Sequence, residues 1–360
     1  VDGAGRGFAT GVASGESLLV VAGRHWSEAA EGSVAAVWTS LDGRSWTLAD
    51  LPSDPSASSS DFPTAAAAGR DGFVIGGTVG ESEGAVAWGS DDGNDWTRRV
   101  VDGDSGVLGV TAGGSGFVMV GVFGRHTVVG GGRPAIWRSS DGVTWARVGP
   151  GSEGGLFGEL GGVTTMRSGH IAYGRVTEVA VPDVLGPGPY PQLRDAGVPW
   201  ISPDGKRWTR VDDAAVFAWA QVLEMVAVDS GVLAFGQIRS TEDDSLTTAG
   251  WRSADGVRWS RFEPDAPFGV STASFVAIGG DDVLALATRS SYVEAWITSD
   301  GQAWAKLDEP LIDAAEINSA VTFGPDIVAV GDAGSAPTPA GPTDCARAPI
   351  WLHAADTLGQ

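Results

Sequence analysis

The stretch Trp38-Thr39-Ser40-Leu41-Asp42-Gly43-Arg44-Ser45-Trp46 decides the fold of this chain, because its pattern recurs along the sequence. The pattern is Trp-x-Ser/Thr-x-Asp-Gly-x-x-Trp. The further complete copies are Trp88 to Trp96, Trp137 to Trp145, Trp200 to Trp208, Trp251 to Trp259 and Trp296 to Trp304. A seventh copy begins at Trp351 but lacks the Asp-Gly and the second tryptophan. Because 13 of the 15 tryptophans belong to this pattern, the repeat organises the whole chain.

Each copy ends a unit of about fifty residues. Successive first tryptophans lie 50, 49, 63, 51, 45 and 55 residues apart. Two short apolar runs precede each copy, as Phe8 to Ala13 and Leu18 to Gly23 do in the first unit. Such runs, rich in β-branched or aromatic residues and bounded by Gly, Ser or Asp, are typical of strands. The Asp-Gly pair predicts a tight hairpin, since glycine tolerates a positive φ.

Four short strands in each unit match the blade of a β-propeller better than the coil of a solenoid. We therefore predict an all-β fold, a seven-bladed β-propeller of four-stranded antiparallel blades forming a single domain over residues 1–360. Only six fourth strands are visible, so we expect a terminal strand to close the last blade, from residues 1–7 in preference to 356–360. The expected blades are approximately 8–50, 62–100, 107–149, 160–212, 220–263, 272–308 and 318–356 plus residues 1–7.

The six complete hairpins resemble the Asp-box (BNR) repeat, Ser/Thr-x-Asp-x-Gly-x-x-Trp, of sialidase-like propellers. Here the glycine follows the aspartate directly, which gives a shortened variant, Ser/Thr-x-Asp-Gly-x-x-Trp. The resemblance covers essentially the whole chain as a period and implies a propeller fold. It implies little about activity, because Asp boxes are structural turns in sialidases, other glycosidases, photosystem assembly factors and sorting receptors. In such proteins they lie on the face opposite the functional site.

The composition narrows the choice of partners. The formal net charge of −22 at pH 7 repels phosphate backbones, so no nucleic-acid partner is expected. No run approaches the roughly 18 apolar residues of a membrane span, so no transmembrane segment is expected. Cys345 is the single cysteine, which excludes an intrachain disulfide. The acidic, lysine-poor composition, rich in Gly and Ser, favours a secreted or cell-envelope-associated bacterial protein, and we expect a monomer.

The loops that join second to third strands emerge opposite the repeated turns, and they vary most in length, as functional loops often do. They are residues 24–35, 78–85, 122–134, 175–198, 237–249, 288–295 and 332–349. Five arginines lie at or just after the second strands: Arg24, Arg125, Arg175, Arg239 and Arg289. Guanidinium groups bind carboxylates in bidentate fashion, so three converging arginines could hold an acidic sugar, as in sialidases. The alternative is a set of solvated or salt-bridged loop arginines.

Aromatic and imidazole side chains extend this set of candidates. The other candidate ligand-binding residues are His25, Trp26, His126, Tyr190, Arg194 and Trp219. Trp26 and Trp219 are the tryptophans outside the repeat, and an exposed one could stack on a sugar ring or anchor a protein partner. The alternative for both is local packing.

Catalytic and metal-binding signals are weak. A sialidase-like nucleophile requires a tyrosine paired with a glutamate, and Tyr292 and Glu294 would share a strand face. They begin a third strand, so we assign no catalytic residue. The histidines lack metal-ligand spacing, so no metal is assigned. Clusters such as 242–244 offer oxygen atoms to calcium without an ordered ligand spacing, so no cofactor is expected.

These observations predict a non-catalytic propeller that binds a protein or glycan ligand through the loops opposite the repeated turns. The alternative is a sialidase-like exo-glycoside hydrolase that holds an acidic sugar with an arginine cluster. Convergence of the five arginines would favour the enzyme, whereas arginines spread around the rim and paired with acids would favour the binding protein.

Overall fold

Antiparallel sheets of short strands, arranged side by side, make up the fold. The structure is a computed structural model, and it describes residues 7–54, 61–80, 84–114, 116–124, 132–149, 156–179, 193–197, 199–211, 216–240, 242–243, 245–289, 292–307, 316–332 and 350–354.

The first three blades each contain four strands in chain order. Blade 1 contains β1 (Gly7–Ser14), β2 (Leu19–Ser27), β3 (Gly32–Ser40) and β4 (Thr47–Asp50). Blade 2 contains β5 (Asp61–Gly69), β6 (Gly72–Val79), β7 (Gly84–Ser90) and β8 (Thr97–Gly103). Blade 3 contains β9 (Ser105–Ala112), β10 (Phe117–Phe123), β11 (Arg133–Ser139) and β12 (Trp145–Gly149).

The next three blades follow the same plan. Blade 4 contains β13 (Leu156–Met166), β14 (Gly169–Val179), β15 (Leu193–Ala196), β16 (Trp200–Ser202) and β17 (Thr209–Arg210), with β15 paired to the end of β14. Blade 5 contains β18 (Ala220–Val228), β19 (Gly231–Arg239), β20 (Leu246–Ser253) and β21 (Ser260–Phe262). A short 3-10 helix, Val270–Thr272, leads into blade 6. Blade 6 contains β22 (Ala273–Gly279), β23 (Asp282–Arg289), β24 (Tyr292–Thr298) and β25 (Ala305–Lys306).

The last repeat departs from the prediction. It forms a three-stranded sheet of β26 (Glu316–Phe323), β27 (Asp326–Asp332) and β28 (Ile350–Ala354). The prediction of a seven-bladed propeller of four-stranded blades is therefore wrong: in the described part of the chain the structure has six blades, five of four strands and blade 4 of five, and the last repeat forms only three strands. The physical reason is the missing Asp-Gly turn after Trp351, without which no hairpin returns a fourth strand. The terminal segments proposed to close this sheet, 1–6 and 355–360, lie outside the described residues.

Seven apolar clusters lie between neighbouring sheets and close the ring. One of them joins Trp38 of blade 1 to Val328 and Val330 of the three-stranded sheet. The side chain of Asn318 also donates to the carbonyl of Ala9, at 2.8 Å, across the same boundary. The first and last sheets are therefore in contact, and the innermost strands surround a central channel.

Side-chain oxygens hold the repeated turn, because they accept hydrogen bonds from the backbone amides of the turn. In blade 5 the Ser253 hydroxyl accepts from the amide of Gly256 at 2.8 Å. One oxygen of Asp255 accepts from the amides of Val257 and Arg258, at 2.9 and 2.8 Å. Gly256 has a φ of 77°, the left-handed conformation that favours glycine. These amide hydrogen bonds hold the pKa of Asp255 at about 2, well below its usual range.

We expect Ser253→Ala to lower the free energy of unfolding by about 1–2 kcal/mol, because it leaves the buried Gly256 amide without an acceptor. Urea unfolding followed by tryptophan fluorescence measures this. Ser260→Ala removes the same hydroxyl from an exposed position nearby and is the control, with little expected change. Equal midpoints for the two variants would show that the serine does not hold the turn.

Candidate functional site

The two faces of the ring differ in what they present. We call the face with the repeated third-to-fourth-strand turns the turn face, and the face with the second-to-third-strand connections the loop face. At the loop face the second strands run further than the sequence predicts. β2 continues to Ser27, so Arg24, His25 and Trp26 are strand residues and the connection is only 28–31.

Arg24 is buried between blades 1 and 2. Its guanidinium carbon lies 3.9 Å from the centre of the Phe62 ring, and Nη2 donates to the carbonyl of Ser33 at 2.5 Å. Burial lowers its pKa, while the nearby negative charge of Asp61 opposes that effect. Arg24 thus contributes to blade packing, and its charge is neutralised from within the fold.

The two residues that follow Arg24 face solvent to different degrees. Nε2 of His25 lies 2.5 Å from the carboxylate of Asp50 on β4. Trp26 is 51% exposed and stands at the end of β2 on the loop face. A tryptophan exposed to this extent offers a large flat apolar surface to a ligand.

Arg289 is fixed by groups of its own neighbourhood in blade 6. Its Nε donates to Glu294 at 3.1 Å, and its Nη2 donates to the carbonyl of Pro267 at 2.8 Å. Glu294 also accepts from Lys306 at 2.7 Å, and this bond is the main cause of its lowered pKa. Glu294 is buried while Tyr292 is 40% exposed, so the pair considered in the sequence does not form a joint site.

The remaining candidates are distributed around the ring. Arg175 is exposed on β14 of blade 4, opposite Glu159 in the strand register. Arg239 ends β19 in blade 5, where its amide donates to the carbonyl of Trp219 at 3.0 Å. Trp219 is half-buried, with a φ of 61°.

Other candidates are described in part or not at all. Arg194 lies on β15, paired in register with Glu178. Arg125, His126 and Tyr190 lie outside the described residues. The arginines Arg24, Arg175, Arg239 and Arg289 thus occupy four different blades. Within the described part of the chain, the candidates that lie together are Arg24, His25 and Trp26, consecutive on β2, and Trp219 and Arg239, joined by a backbone hydrogen bond.

The central channel contains a cavity of about 540 Å³ that is open to solvent. The innermost strands of the six blades and of the three-stranded sheet line it, and the residues they contribute are mostly Val, Ala and Thr. Examples are Val12, Ala66, Val110, Val163 and Ala320. The volume falls within the range of small-molecule sites, about 300–1,000 Å³.

Among the described residues that line the channel, Glu224 and Tyr173 are the ionisable ones. Glu224, on β18, accepts from the amide of Phe275 on β22 at 3.2 Å, which links blades 5 and 6. Removal from bulk water raises the pKa of Glu224 to about 8, and the Phe275 amide opposes this shift. Burial and the charge of Glu224 raise the pKa of the Tyr173 phenol, against a hydrogen bond from the Met225 amide.

Gly162 makes room for the Tyr173 phenol. A Cβ atom at Gly162 would lie 2.2 Å from the hydroxyl oxygen, so no larger residue fits without displacing the ring. Gly162 follows a β-bulge in β13, and Glu224 follows a similar bulge in β18. The innermost strand of each described sheet has such an irregularity, so the bulges belong to the repeat and change the direction of side chains around the channel.

The sequence interpretation did not find this pair. Tyr173 and Glu224 are 51 residues apart, in different repeats, and only the ring places them near one cavity. A signal was present, since Glu224 interrupts the apolar run Val222-Leu223-Glu224-Met225-Val226. An acid in such a run is expected to be shielded from water.

The described residues contain neither a metal-ligand cluster nor a helix that could span a bilayer. No group of three His, Cys, Asp or Glu side chains in that part of the chain is placed to hold a metal ion. No helix among the same residues is long and apolar enough to cross a bilayer.

Comparison with known proteins supports the fold. No family model matches the sequence, and no curated protein matches it either. Among solved structures, the β-propeller domain of the Trilobed protease from Pyrococcus furiosus has a TM-score of 0.57 at 9% identity, covering 97% of this chain and 93% of that one. The phage phi92 endosialidase has a TM-score of 0.52 at 10% identity, covering 98% and 67%.

A third similar structure is the GH74 xyloglucanase from Xanthomonas campestris, with a TM-score of 0.51 at 16% identity, covering 97% of this chain and 54% of that one. Propellers of a protease, an endosialidase and a xyloglucanase thus resemble the chain about equally. At these identities the likeness establishes a β-propeller fold, and function has to be argued from the site.

Proposed function

We propose that this chain is a non-catalytic, secreted or envelope-associated propeller that binds a protein or glycan ligand through its loop face. The observation that carries the proposal is the exposure of Trp26 at the end of β2. Tyr292 in blade 6 and Leu246 in blade 5, which begin third strands on the same face, are 40% and 47% exposed. An exposed aromatic that offers contact area at low entropic cost is typical of a binding anchor.

The chemistry of the loop face favours recognition over reaction. The described arginines are spread over four blades, and Arg24 and Arg289 already contact groups of the fold. In this proposal the six repeated turns are shortened Asp boxes, which hold the scaffold from the opposite face. No cofactor takes part.

A glycoside hydrolase is the second candidate, and Glu224 is the observation that favours it. A carboxyl group with a raised pKa can donate a proton to a leaving group near neutral pH. Glycosidases require two acidic groups or, in sialidases, a tyrosine nucleophile with an acid. Tyr173 and Glu224 supply a phenol and an acid beside one cavity.

A glycan array and a pull-down from cell-envelope extracts, both with the intact protein, test the first candidate. We expect Trp26→Ala to weaken binding of the captured ligand by about 30-fold or more, as loss of an aromatic anchor does. Leu41→Ala is the control, because Leu41 is 75% exposed on the turn face. Unchanged binding by Trp26→Ala, or equal losses in both variants, would contradict the assignment to the loop face.

The same array distinguishes the second candidate. Release of a terminal sugar by the wild-type protein, abolished in Glu224→Gln, would establish the hydrolase and overturn the non-catalytic proposal. Binding without release, sensitive to Trp26→Ala but not to Glu224→Gln, would support recognition at the loop face.

A further inference from the structure

The channel has a wall of mixed polar and apolar surface that carries a single charged side chain. Among the described residues that line the cavity, Glu224 is the only one whose side chain carries a formal charge. The others that contact this space are small or apolar, apart from hydroxyl groups such as those of Thr111, Thr164 and Tyr173. An ionised carboxylate in such surroundings is costly unless an opposite charge pairs with it.

We infer that the channel is a binding site for a small organic cation, a primary ammonium on an apolar or aromatic body, with Glu224 as its counter-ion. The ammonium supplies the charge that the carboxylate lacks, and the Val and Ala walls accept the apolar body. The cavity of about 540 Å³ accommodates a ligand of this size. This site is separate from the loop face and does not depend on the function proposed there.

The position of Glu224 suits this role. The Phe275 amide occupies Oε2, and among the described residues no hydrogen-bond partner contacts Oε1. The carboxyl group is therefore oriented by the fold while one oxygen is left for a ligand. The Phe275 ring stacks on Phe235 in the core and Tyr173 is buried, so the preference for a cation comes from the Glu224 carboxylate.

Other ligand classes fit this cavity less well. An anion would be repelled by the ionised carboxylate. A neutral sugar has no charge to pair with the carboxylate, so it gains less from Glu224 than an ammonium does. An ammonium presents its three donors at one end, where the Glu224 carboxylate can accept them.

Proton binding competes with the ligand, which gives the site a defined pH dependence. Tyr173 of β14 is the titratable group that faces Glu224, and β22 contains none. On β13 the titratable residue is Glu159, which pairs with Arg175 of β14 in the strand register. On β26, another strand that lines the channel, it is Glu316, the first residue of the strand. Burial raises the pKa of Glu224 to about 8. At a pH below 8 most Glu224 carboxyl groups are therefore protonated, and the cation must displace that proton in order to bind.

The experiment is isothermal titration calorimetry of the intact wild-type protein with benzylammonium chloride and with benzyl alcohol, a neutral probe of the same shape. At pH 8 we expect benzylammonium to bind with a Kd of about 0.1–1 mM, and benzyl alcohol at least about tenfold more weakly. Lowering the pH to 6 should weaken benzylammonium by at least about tenfold, because Glu224 is then protonated. This comparison requires no variant.

Two matched variants then locate the charge. Glu224→Gln keeps an acceptor for the Phe275 amide, and it should lose at least about tenfold in benzylammonium affinity while its affinity for benzyl alcohol is unchanged. Glu16→Gln removes the same charge from an exposed acid beside a different cavity on the turn face, and it should bind like the wild type. Circular dichroism of the tryptophans confirms that both variants are folded.

Three results would overturn the inference. One is equal affinity of the wild-type protein for benzylammonium and benzyl alcohol. Another is no detectable heat with benzylammonium at 10 mM, roughly ten times the weakest expected Kd. The third is an equal loss in Glu224→Gln and Glu16→Gln, which would show a general effect of net charge.

Discussion

Replacing Asp61 by alanine is expected to lower the free energy of unfolding by about 3–5 kcal/mol, one of the largest effects of any single substitution in this fold. Asp61 is buried at the start of β5 and accepts two hydrogen bonds from Arg98, at 2.6 Å from Nε and 2.9 Å from Nη2. This bidentate contact is the main cause of the raised pKa of Arg98. The negative charge of Asp61 also stabilises the charged form of Arg24 and acts to raise its pKa.

The size of the effect follows from what remains after the substitution. Arg98 is largely buried, with a side chain 12% exposed, and Arg24 is buried beside Phe62. Without Asp61, Arg98 loses its acceptor, and both guanidinium groups keep their positive charge in a poorly hydrated place without the negative charge of Asp61. Breaking one side of a buried pair costs more than the pair contributes, because a charge is left uncompensated.

Asp229→Ala is the matched control for this prediction. Asp229 also pairs with an arginine, Arg167, at 2.9 Å, but the two side chains are 66% and 79% exposed. Water replaces the lost partner, so the expected change is about 0–1 kcal/mol. Urea unfolding followed by tryptophan fluorescence compares both variants with the wild type. Similar losses for Asp61→Ala and Asp229→Ala would show that burial does not set the cost.

The repeat predicted those parts of the fold that are encoded within a few residues. Ser253, Asp255 and Gly256 make their turn by contacts spanning two or three positions, so the sequence motif is sufficient to predict it. The same reasoning identified the missing turn after Trp351, but it treated the last repeat as a full blade. Among the described residues this repeat has three strands, since no local turn signal after Trp351 produces a fourth.

The site could be predicted much less well, because it depends on contacts between repeats. The position of Arg24 at a strand end suggested a solvent-facing ligand, yet Phe62 and Asp61 of the next blade enclose it. Glu224 and Tyr173 come together only when neighbouring blades pack around the channel. The alternation along a strand predicts which of its side chains share a face of the sheet. It does not predict which residue of the neighbouring blade each of them contacts.

Trp251→Ala is expected to have a comparably large effect, about 3–5 kcal/mol, because it removes a large side chain from a boundary between blades. Trp251 is fully buried in a cluster that joins Ile171 and Tyr173 of blade 4 to Val222 of blade 5. Its ring stacks on Phe217 with centres 5.5 Å apart. The substitution leaves a cavity and deprives the carbonyl of Val216 of the indole N–H that donates to it at 2.9 Å.

Two further substitutions separate these contributions. Trp251→Phe keeps most of the ring contact but loses the N–H donor. It should therefore lower the free energy of unfolding measurably, but by less than Trp251→Ala does. Trp26→Ala removes the same side chain from a position 51% exposed and should change stability by no more than about 0.5 kcal/mol. Urea midpoints give all three values. The first tryptophan of the repeat is also buried in other blades, at Trp38, Trp88 and Trp137. A small effect of Trp251→Ala would therefore show that this tryptophan does not stabilise the packing between blades.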